Sequence, residues 1–250
     1  MMVAAPGTLL LLRRRGREGF KAAIQWTAIE LGAAWGLGAL LLISMGWDPS
    51  TPSELPASSI WALVVPLAAS LLFLTSFFRR KIHHERLDFA DLGYHRSLRT
   101  GVAGLTLGTF LILLVLGTEQ IDLRLFPGLA KDTEELLRQI AQGGSVAAGA
   151  LLVVNGGFAP IVEELVWRGY IQTKMTQAWG TWFGITATAL LFAGKHMLVD
   201  ASFNRTTTLL VGAVALGVVR QWRGTTASTV AHLLLNLVAT AYGIAEAFWG

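Results

Sequence analysis

The strongest constraint on this chain is a series of long apolar runs, each just long enough to cross a bilayer as a helix. They fall at about 22–46, 59–78, 101–117, 145–177, 181–198, 206–222 and 225–249. A helix rising 1.5 Å per residue needs roughly 17–25 residues to traverse a hydrocarbon layer of about 30 Å. Clusters such as "GWDPSTPSELP" (46–56) punctuate the runs as loops. Composition points the same way. Only 14% of the residues are charged against about 25% in soluble domains, and 53% are hydrophobic. Too little polar surface is encoded to cover a soluble fold of 250 residues. The expected fold is all-α: a polytopic transmembrane helical bundle with six to eight spanning helices, forming one membrane-embedded domain over 1–250.

Charge sets the expected orientation. Fourteen of the twenty Lys and Arg residues fall on alternate connections: the N-terminal Arg13–Lys21 cluster, the 79–99 loop, Lys174, and Arg220 with Arg223. The opposite connections hold only Arg124, Lys131, Arg138 and Arg205. The basic side, N-terminus included, is expected to be cytoplasmic, with a bacterial cytoplasmic membrane as the expected host. Leu9–Leu12 precedes its arginines, which is the reverse of a cleavable signal peptide. The net charge of +4 reflects contact with anionic lipid rather than nucleic-acid binding, because no basic stretch carries interleaved aromatics. There is no cysteine, which excludes disulfides, thiolate metal sites and a cysteine nucleophile.

The segment "LAKDTEELLRQIAQ" (129–142) is expected to be an amphipathic helix lying on the membrane surface. Leu129, Leu136, Leu137 and Ile140 fall on one face of it, and Asp132 with Glu135 resembles a capping pair. Gly212 and Gly217 suggest close helix packing, and most tryptophans sit near span ends as an interfacial belt.

Polar residues inside the spans concentrate in the C-terminal half: Glu163, Glu164, Arg168, Lys195, His196, His232 and Asn236. Ionisable groups at such depth face the bundle interior and mark function. Glu164 and Arg168 stand four apart, as do Phe192 and His196, and His232 and Asn236, so three helices each present a pair one turn long. The depths agree only if the helix bearing Glu163 continues past Arg168 to about residue 177. "NGGFAP" (155–160) is expected to divide this helix into pieces at 145–155 and 160–177, with water reaching the carboxylates through the break. Glu30, in the first span, is expected to pair or snorkel without a catalytic part.

Three motifs then stand in order: "EELVWR" (163–168), "FAGKH" (192–196) and "HLLLN" (232–236). They resemble the EExxxR, FxxxH and HxxxN motifs of the CPBP family of intramembrane proteases, also called the CAAX-protease or Abi family. The resemblance covers about 145–243, with "DLGYHR" (91–96) similar to a stretch often seen before this domain. It implies an α-helical protease that cuts a peptide or membrane-protein substrate at or within the bilayer; in eukaryotic relatives that substrate is the tail of a prenylated protein. Residue by residue, it implies Glu163 as the main catalytic glutamate, with Glu164 and Arg168 completing its motif. It implies His196 as the group that positions or activates water, and His232 and Asn236 as the oxyanion site. Lys195, beside His196, departs from the pattern, which usually has an apolar or small residue there.

Residue chemistry fits this. With no cysteine and no nucleophile elbow, a carboxylate assisted by histidine remains as general base. Two histidines and a glutamate are also a ligand set that catalytic zinc uses, so Zn2+ or another divalent metal is an open alternative, though no HExxH is present. Two other classes compete: a non-enzymatic scaffold or bacteriocin-immunity protein of the same fold, and a transporter or proton relay. Against the transporter stands the absence of matching broken helices in two halves.

Overall fold

The computed structural model describes residues 6–48, 59–95 and 97–250, with side chains from Arg14 onward. Most of the loop expected at 46–56, and Arg96 of "DLGYHR", lie outside the described residues. The first helix, α1, comprises Pro6–Leu31, a π-helical stretch at Gly32–Leu37, and Gly38–Ser44. α2 is Ile60–His84 and α3 is Leu98–Leu125. Helical stretches then follow at Gly128–Trp179, Thr181–Val199 and Thr206–Trp249. Among the described residues, six stretches are long and apolar enough to cross a membrane.

Two of these stretches are too long for one crossing. Thr206–Trp249 has 44 residues, or about 66 Å of helix against a core of roughly 30 Å. Each is divided by a glycine in a conformation that side chains with a Cβ rarely adopt: Gly144 (φ 74°, ψ −178°) and Gly224 (φ 82°, ψ 170°). The resulting rods are α4 (128–143), α5 (145–179), α6 (181–199), α7 (206–223) and α8 (225–249).

α4 is the expected amphipathic helix. Leu129 and Ile140 are buried, while Glu134, Leu136 and Arg138 are exposed. The expected capping pair is not formed, because the helix already begins at Gly128. Asp132 instead accepts Asn204 Nδ2 at 2.6 Å, and Glu135 pairs with Arg138 at 2.6 Å.

α5 is the centre of the bundle. From Val162 to Gln172 nearly every side chain is buried, because α1, α2, α6 and α7 all pack on it. Trp26 of α1, Phe78 of α2, Trp167 and Tyr170 of α5, and Phe192 of α6 form one aromatic core. The expected break at "NGGFAP" does not occur. The helix stays continuous through π-helical turns at Leu152–Phe158 and Glu164–Gln172. A widened turn absorbs the ring of Pro160, which would otherwise clash with the carbonyl of the preceding turn.

Close packing involves one of the two glycines expected, Gly217, and others besides. A Cβ on Gly104 or Gly108 of α3 would lie 2.8 Å from Ala227 O or 3.0 Å from Ala231 Cα of α8, so this small-xxx-small pair seats α3 on α8. Gly217 does pack tightly, its Cβ position 3.0 Å from Ile185 Cγ2, whereas Gly212 meets nothing nearer than 3.9 Å.

The segment before α3 seats α8. Thr225 N–H donates to Gly93 O at 2.8 Å, Thr225 Oγ1 donates to Leu92 O at 2.5 Å, and His95 N–H donates to Thr226 Oγ1 at 2.9 Å. The first of these bonds uses a backbone N–H that a helix start leaves free, and the other two use threonine hydroxyls of the first turn. α7 is capped from another helix: buried Asp122 of α3 accepts the N–H groups of Thr207 and Thr208 at 2.9 and 2.8 Å.

Candidate active site

The three polar pairs meet. The second π-helical turn, Glu164–Gln172, begins between the adjacent glutamates, and the two carboxylates take separate partners. Glu163 faces α6 and α8. Its Oε1 lies 3.8 Å from His196 Nε2, and its Oε2 lies 3.9 Å from His232 Nε2. Glu164 is fully buried against Arg168, whose Nε is 3.6 Å from Oε1. His232 bridges the two: its Nδ1 is 3.1 Å from Glu164 Oε1 while Nε2 is turned to Glu163. All three helices therefore converge at one depth, as the spacing required.

The aromatic walls are specific. Phe192 stacks edge-on against His196 at 4.9 Å and against Trp167 at 5.3 Å. The Arg168 guanidinium sits 4.7 Å over its ring. This fixes Arg168 by cation–π contact as well as by charge. Its NH2 group also donates to Ala213 O of α7 at 3.4 Å. His196 is partly open, with 24% of its side chain exposed.

Asn236, one turn beyond His232, is held by the first π turn. In that turn the Ala159 N–H bonds to Val154 O, one residue further back than in an α-helix. The same pattern would pair Asn155 O with residue 160, and Pro160 has no N–H. The orphaned carbonyl accepts Asn236 Nδ2 at 3.1 Å. Asn155 Nδ2 in turn donates to Thr240 Oγ1 at 3.0 Å. One N–H of the Asn236 amide thus ties α8 to α5, and the second remains for another acceptor.

Two residues belong to this cluster that the motifs did not include. Lys195 Nζ is 2.6 Å from Glu163 Oε1, and 2.9 and 3.1 Å from the Glu30 carboxylate of α1. The Lys195 side chain is wholly buried. Glu30 neither snorkels nor stands apart from the site. The available signal was charge balance: one anion in the first span and one cation in the fifth, each without a partner on its own helix.

Zinc needs nitrogen and oxygen ligands at about 2.0–2.2 Å from a common point. Among the described residues no group of three His, Cys, Asp or Glu side chains has such geometry. The Glu163 oxygen nearest His196 is already engaged by the Lys195 ammonium. The residues as arranged do not fit a zinc ion.

Fold and site together define a polytopic α-helical membrane protein with a buried glutamate–histidine–asparagine cluster. Residues 145–238 match the family model described as type II CAAX prenyl endopeptidase Rce1-like. This segment is similar to the CPBP family of CAAX-type intramembrane proteases, which supports the resemblance carried by the three motifs. None of the curated proteins and no solved structure matched the chain.

Proposed function

We propose that this protein is an intramembrane endopeptidase in which Glu163 and His196 activate water, and His232 and Asn236 receive the oxyanion, with Glu164 and Arg168 as their support. The carrying observation is that the Glu163 carboxylate lies between His196 Nε2 and His232 Nε2 at 3.8 and 3.9 Å. Those separations exceed direct hydrogen bonds and suit a water that two groups can hold at once.

In the proposed reaction Glu163 takes a proton from water as its oxygen adds to the scissile carbonyl. The developing oxyanion accepts the second N–H of Asn236. His232 Nε2 adds a second donor only when both ring nitrogens carry protons, because Nδ1 is directed to Glu164. Each such donor is worth about 2.7–4 kcal/mol. The proton held by Glu163 passes to the departing amine, closing the cycle. Glu164 and Arg168 fix the angle of His232 rather than touch the substrate.

The basic face, which carries Arg220 and Lys174, is read as cytoplasmic. A prenylated C-terminal CAAX peptide is the proposed test substrate. In proteoliposomes, Glu163→Gln should lower cleavage of a farnesylated fluorogenic CAAX peptide by at least about 10²-fold while far-UV circular dichroism stays unchanged. Normal cleavage by Glu163→Gln would end this reading.

A further inference from the structure

The motifs leave α1 without a part in the chemistry, yet its Glu30 reaches into the site. Glu30 is 5% exposed and accepts Trp26 Nε1–H at 2.6 Å. Its two oxygens take Lys195 Nζ at 3.1 and 2.9 Å, and the same ammonium reaches Glu163 Oε1 at 2.6 Å. The three contacts match the three N–H groups of an ammonium. Trp26 and Phe192 lie 5.9 and 5.3 Å from Nζ, so the cation is enclosed by rings where it does not meet carboxylate.

We propose that Lys195, anchored by Glu30, is a positioning residue for Glu163. This deepens the protease reading above and rests on it. The ammonium engages Oε1, which fixes the carboxylate plane and so the positions of both oxygens against His196 Nε2 and His232 Nε2. Glu30 in turn fixes the ammonium, holding it with both oxygens at 3.1 and 2.9 Å. Neutralising Glu30 would weaken that hold and let the ammonium, and with it Glu163 Oε1, shift. Removing Lys195 would leave the carboxylate free to turn.

A merely structural tie between α1 and α6 predicts something different. Replacing a buried ion pair by a neutral pair commonly restores stability. The test is therefore the double variant Glu30→Gln/Lys195→Met, compared with each single change, with Lys195→Arg, and with Glu163→Gln. All are reconstituted in liposomes with a farnesylated fluorogenic CAAX peptide. The positioning role predicts that the double variant melts within a few degrees of wild type, with kcat lowered about tenfold or more and KM within about twofold. Lys195→Arg, which keeps the cation, should recover part of kcat. A double variant with wild-type kcat overturns the proposal. Glu30→Gln alone provides the same decision if the double variant is not obtained folded: a kcat lowered about tenfold supports the anchoring role, and an unchanged kcat overturns it. Loss of cleavage in Glu163→Gln beside full activity in the double variant would sink this inference alone. Full activity in Glu163→Gln would sink the protease reading beneath it.

Discussion

Asn236 Nδ2 donates to the backbone carbonyl of Asn155 at 3.1 Å, and that carbonyl is available because the residue five positions on is Pro160. A side chain of α8 is thereby fixed by a gap in the hydrogen bonding of α5. The bond is local in its cause and tertiary in its effect. It sets where the remaining Asn236 N–H points, which is the property an oxyanion donor needs.

Pro160→Ala should break that relationship without breaking the helix. The new N–H can bond within α5 and compete with Asn236 for the carbonyl. The expected outcome is a thermal midpoint equal to or above wild type, with kcat lowered about tenfold, since a misdirected donor forfeits part of the 10²–10³ attributed to one. Unchanged kcat would show that Asn236 is positioned by other contacts.

Asn236→Ala should be more severe in rate and mild in stability. It is only partly buried, and its Nδ2 is bonded to Asn155 O. A fall of about 10²–10³ in kcat with KM little changed is expected for loss of a transition-state donor. A rise in KM at constant kcat would instead assign Asn236 to substrate binding.

The adjacent glutamates should separate in a melting experiment. Glu164 pairs with the fully buried Arg168, which meets no other carboxylate within ion-pairing distance among the described residues. Glu164→Gln therefore leaves a buried guanidinium uncompensated and should cost about 3–5 kcal/mol. Glu163→Gln should cost clearly less, because its cation keeps Glu30. Equal losses in detergent-solubilised protein would contradict this division of partners.

Glu85, just past the end of α2, binds Tyr170 and Lys174 of α5, the lysine at 2.5 Å. Burial acts to raise its carboxyl, but the hydrogen bonds from Lys174 and Tyr170 outweigh it and hold the group below its ordinary value of 4.5. The folded value is the lower one, so this stabilisation is complete above the unfolded value and disappears as pH falls through the folded one. Between about pH 5 and pH 3 wild type should lose more of its melting temperature than Glu85→Gln does, a difference on the order of 1 kcal/mol. Parallel curves for the two proteins would remove Glu85 from the account.

Asp122→Ala should unseat the start of α7. Two backbone N–H groups, those of Thr207 and Thr208, would lose their acceptor. The expected cost is about 1–2 kcal/mol, the usual worth of a helix cap. Asp122→Asn, which retains an acceptor oxygen, should lose less.

Much of the architecture was legible because the bilayer is a severe solvent. It demands apolar runs of a set length, and it permits charge only where charge is enclosed. That is why the spans, the amphipathic 129–142 helix and the division near residue 224 could be read from periodicity and length, and the continuation of the Glu163 helix to about residue 177 from the depths its polar groups must share. The same rule singled out Glu163, Glu164, Arg168, His196, His232 and Asn236, and helical spacing paired them.

The sequence could not decide how "NGGFAP" would be accommodated, nor what Glu30 and Lys195 do. A proline in a helix can kink it or widen a turn, and neighbouring helices choose between these; here Leu237 of α8 packs beside Gly156 and the turn widens instead of breaking. Glu30 and Lys195 are 165 residues apart, and no local period links them. A buried charge announces that it has a partner, but only the packing of α1 against α6 decides which one. Composition and spacing therefore determined what had to be enclosed, while the tertiary fold alone determined which groups face one another across the enclosure.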